Sequence, residues 1–476
     1  MNILQVSATD FGGGAAKVAW DLNKAYQAVG YHSWIAVGKK KTGDPSVFQI
    51  PNEEAKNIWE SLNFAAAAQT KKLIGVVRGA GLVTNFFNAA ARYRNTLDYL
   101  KGCELFDYPG TRKLLQLLPQ RPDLVHAHNL HSKYFDLRLL PEISQQMPTV
   151  LTLHDTWLLS GHCAYAKTCN RWRTGCGSCP DLSLYPAVRR DNTAQNWQIK
   201  KDLYAHSKLY VVTPCKWLMN KVKASMLQPG IRLQKVIHNG VDTEFFHSGD
   251  KAAARHALGL DQQEFIVFFV ANSVRNNIWK DFATLKRSME LVSSQRPGAK
   301  IRLICFGDES VSEYAGHIPI DFVPHTDNLS KLVYYYQAVD VYVHATKADT
   351  FPTVILEALA CGLPVIATAV DGVGEQIKSL VALKSEDEFG ALASVHSVNE
   401  ATGVLVERGS AQGIAHWLEV FLDNKDLRLT LGLNARKSAQ LQFDFRRQVQ
   451  EYLSWYENSI QHFKGPFHAI EHNRSV

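Results

Sequence analysis

Residues 349–375 read DTFPTVILEALACGLPVIATAVDGVGE, and this stretch is the strongest indicator of the fold of the 476-residue chain. Asp349 stands eight positions before Glu357, and a strand-like run, PVIAT, follows at 364–368. A loop that leads into a helix gathers free backbone N–H groups and the positive end of the helix dipole, which favours a phosphate. Two carboxylates about two helical turns apart can accept hydrogen bonds from sugar hydroxyls. An ordinary helix with acidic residues on its solvent side is the alternative.

Apolar runs of strand length alternate with helical stretches along both halves of the chain. Unbroken apolar strands separated by helices predict parallel sheets that are covered on both faces. Two such sets predict an α/β protein with two Rossmann-like domains. The predicted strands are 2–7, 33–38, 123–128, 149–154 and 209–214 in the first half, and 265–270, 301–306, 320–325, 340–345 and 364–368 in the second.

The boundary between the two domains is predicted in the turn-rich segment VIHNGVDTEFFHSGD, residues 236–250. An N-terminal domain is therefore predicted at 1–240 and a C-terminal domain at 241–440. Residues 435–465 form an amphipathic pattern, which predicts a C-terminal helix within the last segment, 441–476.

Composition and charge limit the class of protein. The 46% of hydrophobic residues can bury large cores, which argues against disorder. No uncharged apolar run reaches the length of a membrane-spanning helix, and the N-terminus enters a strand directly, so a cytoplasmic protein is predicted. The net charge of +7 is uneven, because residues 1–210 hold 25 Lys and Arg against 16 Asp and Glu. A basic N-terminal half can face an anionic membrane or an anionic substrate, or it can simply be solvated. No nucleic-acid-binding motif is present in the sequence.

Glycines join the first predicted strand to the first predicted helix, in Asp10-Phe11-Gly12-Gly13-Gly14. Glycine lets the backbone approach a ligand closely, and the following helix start attracts phosphate. A tight turn without a ligand is the alternative for so short a motif.

Polar residues also follow the predicted strands. His154 and Asp155 lie in LTLHDTW (151–157), at the strand ends where open α/β sheets bind ligands. His126 and His128 end another strand and are predicted to line the same site. Asp155 either orients the His154 imidazole or belongs to recognition of a second substrate.

Four cysteines, half of the eight in the chain, fall within one short segment as C-x5-C-x6-C-x2-C. Clustered cysteines in a cytosolic chain favour zinc over disulfides, and four thiolates suit a closed tetrahedral Zn²⁺ site. Unliganded thiols and disulfides are the alternatives, and His162 is a possible replacement ligand. The predicted structural zinc ligands are Cys163, Cys169, Cys176 and Cys179.

Residues 64–94 mix apolar runs with basic residues, among them Lys71, Lys72, Arg78 and Arg92. A basic amphipathic helix pair of this kind can lie on a membrane surface. A lid packed on the first domain is the alternative, which intervening glycines favour because they weaken helices.

The acidic pair Asp349 and Glu357, with Phe351 and Pro352 behind the first acid, resembles the acid-x7-acid signature of retaining GT-B glycosyltransferases of glycosyltransferase family 4. The resemblance spans nearly the whole chain and is weakest over residues 40–120. It implies a GT-B fold, in which two Rossmann-like domains face each other across a cleft. It also implies a retaining hexosyltransferase that moves a sugar from a UDP- or GDP-sugar to a glycan or lipid-linked acceptor.

The resemblance implies roles for individual residues. The acceptor side would be the N-terminal domain, the donor side the C-terminal domain, and the C-terminal helix would cross back to the first domain. The first acid is usually Glu, and the family's diphosphate-binding Arg has no clean counterpart, since Arg275 only lies nearby. The implied catalytic residues are His154, Lys280 and Asp349. The implied donor-binding residues are Gly13, Gly14, Arg275, Phe351, Thr353, Val354 and Glu357.

Two further expectations follow from the resemblance. The four-cysteine insert resembles one in a polysaccharide-biosynthesis subgroup of the family. No Asp-x-Asp occurs in the chain, so a divalent metal on the diphosphate is not indicated and no catalytic cofactor is expected. A GT-B sugar-nucleotide epimerase and a non-catalytic nucleotide-sugar-binding protein remain alternative interpretations.

Overall fold

The computed structural model describes residues 1–52, 58–91, 93–166, 168–326, 328–383, 388–390 and 394–465. The end of the predicted C-terminal segment, from 466, and Arg92 of the predicted membrane-facing segment lie outside the described residues. Within the described part, no helix combines the length and hydropathy needed to cross a bilayer.

The chain divides into two compact units. The first consists of Met1–Thr213, Met219–Lys235 and the chain from Leu453 onward, and the second of Pro214–Leu218 and Val236–Tyr452. The division near Lys235 falls a few residues before the boundary at 240 that the sequence suggests.

Each unit contains one seven-stranded sheet, and the parallel α/β architecture expected from the sequence is confirmed in both. The first sheet has the order β3-β2-β1-β4-β5-β6-β7, and β1 pairs in parallel with both β2 and β4. Its strands are β1 Asn2–Thr9, β2 His32–Lys39, β3 Val47–Gln49, β4 Leu124–His128, β5 Thr149–Thr152, β6 Leu209–Thr213 and β7 Ile231–Val236.

The second sheet has the order β10-β11-β9-β8-β12-β13-β14, with β10 antiparallel to β11 at one edge. The pairs β8–β9, β8–β12, β12–β13 and β13–β14 are parallel. Its strands are β8 Phe265–Val270, β9 Ile301–Phe306, β10 Glu313–Ala315, β11 Ile318–Val323, β12 Val341–His344, β13 Val365–Thr368 and β14 Gly403–Val406.

Helices connect the strands and cover the sheets. Those up to Lys235 are α1 Gly14–Ala28, α2 Ile58–Lys71, α3 Ala80–Ala91, α4 Tyr93–Lys101, α5 Leu140–Gln146, α6 Thr193–Ala205 and α7 Lys216–Lys223. The later helices are α8 Lys251–Leu258, α9 Phe282–Gln295, α10 Leu329–Ala338, α11 Thr353–Ala360, α12 Ala411–Asp423, α13 Lys425–Gln442 and α14 Phe445–Lys464.

The C-terminal amphipathic pattern spans two helices instead of one. Helix α13 ends before Phe443, and Asp444 pairs with Val241 in an isolated parallel bridge. The Asp444 carboxylate then accepts a hydrogen bond from the Arg446 backbone at 2.9 Å, which satisfies an N–H group at the start of α14. Side-chain periodicity continues through this break, so the pattern alone could not reveal it.

The second sheet is buried on both faces, as its continuous apolar strands predict. Phe269, Leu303 and Val343 of three adjacent strands are fully buried, together with Ile414 and Phe421 of the covering helix α12. A parallel sheet covered in this way leaves its strand ends and loops as the places where polar side chains can gather.

Gly403 marks a point where two strands of this sheet approach closely. It pairs with Val365 of β13, and a Cβ added at Gly403 would lie 2.0 Å from the Val365 carbonyl oxygen. We expect Gly403→Ala to lower the free energy of unfolding by about 1–3 kcal/mol, the usual range for overpacking. Urea unfolding followed by circular dichroism measures the change.

Gly298→Ala is the matched control, because a Cβ at Gly298 meets no atom within 4 Å. It should change the free energy of unfolding by less than about 1 kcal/mol. Equal stability of the two variants would show that β13 and β14 can separate without cost.

Candidate functional site

Lys280 and Asp349 of the second unit form an ion pair beside His344, the last residue of β12. Lys280 also pairs with Thr346 in an isolated antiparallel bridge, which fixes its backbone next to the strand end. Its Nζ lies 2.5 Å from Asp349 Oδ2 and 3.3 Å from His344 Nε2. Two of the three predicted catalytic residues are therefore in direct contact, with a histidine that sequence reasoning missed.

The protonation of His344 follows from its surroundings. Burial lowers the pKa of His344 to about 4, and the Lys280 ammonium lowers it as well, so the imidazole is neutral at pH 7. An ammonium only donates, so His344 Nε2 accepts from Lys280, and Nδ1–H donates to the Tyr342 hydroxyl at 3.1 Å. The neutral imidazole thus orients Lys280 without adding charge.

Asp349 is held ionised. Burial acts to raise the pKa of Asp349, but the Lys280 ammonium outweighs it and keeps that pKa well below the usual range. The Asp349 backbone N–H donates to Asp371 Oδ2 at 3.0 Å, which fixes the loop that precedes α11.

The start of α11 has the features of an anion site. Pro352 is its N-cap residue without a side-chain cap, and Thr353 and Val354, which begin the helix, are half-buried. Because no side chain caps this end and its first turn carries no acid, its backbone N–H groups are available to an anionic ligand. The Phe351 ring is buried and stacks on His238 at 5.1 Å, so Phe351 can offer a ligand little beyond its backbone.

Glu357 lies in the interior of α11 and is only 7% exposed. The Tyr336 hydroxyl donates to Glu357 Oε2 at 3.0 Å, which orients the carboxylate. Arg275 is engaged elsewhere: its guanidinium lies 3.3 Å from Glu313 and 4.6 Å from the centre of the Phe322 ring. Its predicted contact with the donor would require breaking this pair.

The glycine loop of the first unit enters α1 through backbone positions with positive φ, which favour glycine. Gly12 and Gly13 both have φ of 87°, and a Cβ at Gly13 or Gly14 would meet no atom within 4 Å. Asp10 anchors the loop, because its carboxylate accepts from the backbone N–H groups of Lys41 and Thr42 at 2.8 and 2.9 Å. The space beside Gly13 and Gly14 is open to a ligand.

His154 follows β5 and belongs to a chain of hydrogen-bonded polar groups. Its Nε2 lies 3.1 Å from His128 Nδ1, and His128 Nε2 lies 3.0 Å from Gln5 Oε1. Burial lowers the pKa of His154 to about 4 and that of His128 well below its usual value, so both are neutral at pH 7. Gln5, which sequence reasoning missed, is the fixed end of this chain.

The sequence expectation that His126 and His128 line a ligand site is wrong. Both are fully buried, because β4 lies inside the sheet with both faces covered. His126 contacts Thr152 Oγ1 at 2.7 Å and the Tyr456 hydroxyl at 2.6 Å. These histidines are buried contacts of neighbouring side chains, and His128 contacts His154 directly.

Asp155 binds neighbours other than the His154 ring. Its Oδ2 accepts from Asn129 Nδ2 and from His131 Nε2, each at 2.8 Å. Asn129 Oδ1 in turn accepts from the His154 backbone N–H at 3.2 Å. Asp155 therefore fixes the loop after β4. The sequence signal for Asn129 and His131, a polar HNLH run after a strand, was present but not used.

All eight cysteines are free thiols in the structure. Burial raises the pKa of Cys163 to about 12 and that of Cys176 to about 11. The four thiols of the predicted zinc segment are close enough for the charge of one thiolate to raise the pKa of another. His162 Nδ1–H donates to the Pro186 carbonyl at 3.2 Å, which leaves its Nε2 lone pair 3.3 Å from Cys179 Sγ. This tautomer is the one that a metal-binding histidine adopts.

Within the described ranges, no three or more His, Cys, Asp or Glu side chains are placed to hold a metal ion. The zinc site at Cys163, Cys169, Cys176 and Cys179 therefore stays a prediction. A zinc ion there would be structural, since four protein ligands leave no open position.

We expect the protein purified without chelator to hold about one zinc ion per chain, because clustered thiols bind Zn²⁺ once deprotonated. Cys176→Ser and Cys179→Ser should lose the metal, as measured by elemental analysis. Cys103→Ser, at a half-buried cysteine outside the segment, is the control and should keep it. Less than a few tenths of an equivalent in the wild type, with four titratable thiols, would contradict the prediction.

Two protein families match successive parts of the chain. Residues 83–245 match the family described as Glycosyltransferase Family 4, and residues 250–438 match Glycosyl transferases group 1. The putative colanic acid biosynthesis glycosyl transferase WcaC of Escherichia coli (strain K12) is 28% identical over 392 residues, which cover 79% of this chain and 85% of that protein. D-inositol 3-phosphate glycosyltransferase of Mycobacterium sp. (strain KMS) is 32% identical over 188 residues, 37% of this chain and 40% of that protein.

Solved structures share the fold over nearly the whole chain. Anabaena Alr3699/HepE in complex with UDP has a TM-score of 0.60 at 17% identity and covers 96% of this chain and 100% of its own. Sucrose-phosphate synthase from Thermosynechococcus elongatus has a TM-score of 0.57, also at 17% identity, and covers 96% of this chain and 99% of its own. At these identities the likeness concerns the fold, which is GT-B.

Proposed function

We propose that this chain, a GT-B glycosyltransferase of the group 1 and family 4 type, moves a sugar from a UDP- or GDP-sugar to a glycan or lipid-linked acceptor with retention of anomeric configuration. The observation that carries the proposal is the Lys280–Asp349 pair, held against neutral His344 beside the uncapped start of α11. This arrangement offers a cation, a carboxylate and backbone N–H groups to one phosphorylated sugar.

The second unit would hold the donor. The N–H groups at Thr353 and Val354 would bind the diphosphate, and the Glu357 carboxylate would accept from a ribose hydroxyl. Asp349 would accept from hydroxyls of the transferred sugar once Lys280 turns to the diphosphate. The UDP complex of Alr3699/HepE, a protein of the same fold, supports a nucleotide in this role.

Lys280 would act in the bond-breaking step. As the acceptor hydroxyl attacks the anomeric carbon, the bond from that carbon to the diphosphate oxygen breaks and negative charge grows on the leaving diphosphate. The acceptor proton passes to a departing phosphate oxygen, on the same face of the sugar, so configuration is retained. A cation placed at that charge lowers the barrier because it interacts more strongly with the transition state than with the ground state.

The first unit would supply the acceptor side. The open space at Gly13 and Gly14 admits a ligand to the backbone, and neutral His154 can exchange a hydrogen bond with a sugar hydroxyl. The likeness to WcaC, whose name refers to colanic acid biosynthesis, supports a role in polysaccharide biosynthesis. An epimerase or a non-catalytic binding protein is not favoured, since the matched relatives are named as transferases.

Membrane contact by the segment around α2 and α3 is part of the proposal, since a lipid-linked acceptor resides at a bilayer. Val76, Leu82 and Phe86 are 82%, 77% and 67% exposed, and Lys71 and Lys72 lie in the same segment. Exposed apolar side chains next to cations are the pattern of a helix that lies in the interface of an anionic membrane.

Lys280→Ala should lower kcat about 10²–10³-fold while the nucleotide still binds, because the cation acts chiefly in the transition state. The assay is release of UDP or GDP from a panel of nucleotide sugars, with binding measured by calorimetry. Lys300→Ala is the control, since Lys300 is an exposed lysine of the same unit.

Unchanged kcat in Lys280→Ala would leave the Lys280–Asp349 pair a purely structural one. Nucleotide binding by the wild type without turnover of any donor would instead indicate a non-catalytic binding protein. Release of an epimerised sugar without an acceptor would indicate an epimerase.

Replacement of Leu82 and Phe86 together by serine should weaken binding to vesicles that contain phosphatidylglycerol by at least about tenfold, because two apolar side chains no longer enter the bilayer interface. Vesicle co-sedimentation measures this. Leu433→Ser, at a leucine of α13 that is 75% exposed, is the control and should bind as the wild type. Equal binding by the double variant would favour the lid interpretation of this segment.

A further inference from the structure

The first unit contains a cavity of about 290 Å³ that no role described so far uses. It lies at the carboxyl ends of β4 and β5, because His131 and Trp157, which follow these strands, are part of its lining. This is the sheet edge at which His154 is also found. The aromatic residues of the lining are Tyr99, Phe106, Tyr108, Phe135, Trp157 and Tyr185.

The aromatic lining has a buried floor and an exposed mouth. Trp157 and Phe106 are 3% and 5% exposed, whereas Tyr99 and Tyr185 are 42% and 52% exposed. The Trp157 indole is fixed on two sides, because Nε1–H donates to Glu104 at 2.8 Å and the Lys200 ammonium lies 3.6 Å from the ring centre. At the mouth, the Tyr185 ring packs edge-on against the His131 ring, with the ring centres 5.6 Å apart.

A line of hydrogen-bonding groups runs along one wall. The Ser132 hydroxyl lies 3.0 Å from the Tyr185 hydroxyl and 2.8 Å from His131 Nδ1. His131 Nε2–H donates to the Asp155 carboxylate, so in the neutral ring Nδ1 accepts from Ser132 and Ser132 accepts from Tyr185. The Tyr185 oxygen is then left as an acceptor for a ligand hydroxyl.

The charged side chains of the lining are Glu104 and Lys133. The negative charge of Glu104 is balanced by the ammonium of buried Lys200, which lies 2.8 Å from the carboxylate. Lys133 is exposed and has no hydrogen bond or ion pair with any residue in the described part of the chain. An acidic substituent on a ligand would meet this ammonium at the mouth.

We propose that this cavity is a subsite for one pyranose ring of the acceptor glycan, with a preference for an acidic sugar. The inference rests on the proposed glycosyltransferase function. A pyranose has apolar C–H faces that pack on aromatic rings and a rim of hydroxyls that need partners, which matches aromatic rings beside a hydroxyl line. The volume lies near the lower end of the roughly 300–1,000 Å³ of ligand sites, which suits one ring.

The cysteine segment contacts one wall of this subsite through Tyr185 and Pro186. The Ala164 backbone N–H donates to the Tyr185 carbonyl at 2.7 Å, and His162 donates to the Pro186 carbonyl at 3.2 Å. Tyr185 and Pro186 therefore keep their position through contacts with the residues that flank Cys163. The predicted metal segment and the acceptor subsite are thus physically joined.

The test uses the full-length protein and two probes, methyl β-glucoside and methyl β-glucuronide, with binding measured by saturation-transfer NMR. Tyr185→Ala should weaken both probes about tenfold, and Tyr185→Phe should weaken them less because the ring remains. Lys133→Ala should remove the preference for the glucuronide. Tyr314→Ala, at a tyrosine of the second unit that is 67% exposed, is the control and should bind as the wild type.

Nucleotide binding and donor hydrolysis should be unchanged in Tyr185→Ala, which separates this inference from the proposed function. If the wild type binds neither probe, or if Tyr185→Ala binds both as well as the wild type, the subsite does not exist and the donor chemistry still stands. Equal affinity of the wild type for the two probes would overturn the preference for an acidic sugar. Probe binding without turnover of any nucleotide sugar would overturn the proposed function alone.

Discussion

The central strands of both sheets are parallel and buried on both faces, and this constraint governs where chemistry can occur in the protein. Neither face of a strand such as β4 or β12 is exposed to solvent. Its polar side chains are therefore either buried contacts of neighbouring groups or lie at the end of the strand. His344 and His128 show the result. Each is a buried, neutral imidazole at a strand end that holds a more accessible group, Lys280 in one unit and His154 in the other.

The architecture was accessible from the sequence because it depends on local pattern. Each of the ten predicted apolar runs contains or overlaps a strand, since a strand that is buried on both faces is apolar without interruption. The strands that were missed, β3, β7, β10 and β14, are short or mixed in composition, and all four are edge strands of their sheets. These strands are stabilised by pairing with a neighbouring strand, and that pairing cannot be predicted from their own residues.

The site was only partly accessible for a related reason. The Lys280–Asp349 contact joins residues 69 positions apart, and the His128–Gln5 contact joins residues 123 apart. Motifs identify such residues singly, but only the register of neighbouring strands brings them together. Arg275 shows the opposite case, because a basic residue close to the expected position is paired with Glu313 of β10, a strand that the sequence did not reveal.

The Lys280–Asp349 pair means that the protein carries its own competing anion. In the free protein Asp349 already neutralises the ammonium, so a small monoanion such as chloride gains little by displacing it. The proposed donor diphosphate would differ, because it would bring more charge and would also reach the N–H groups at the start of α11. An internal carboxylate of this kind would exclude weakly bound anions from Lys280. It would favour ligands that bind the Lys280 ammonium and the N–H groups of α11 together.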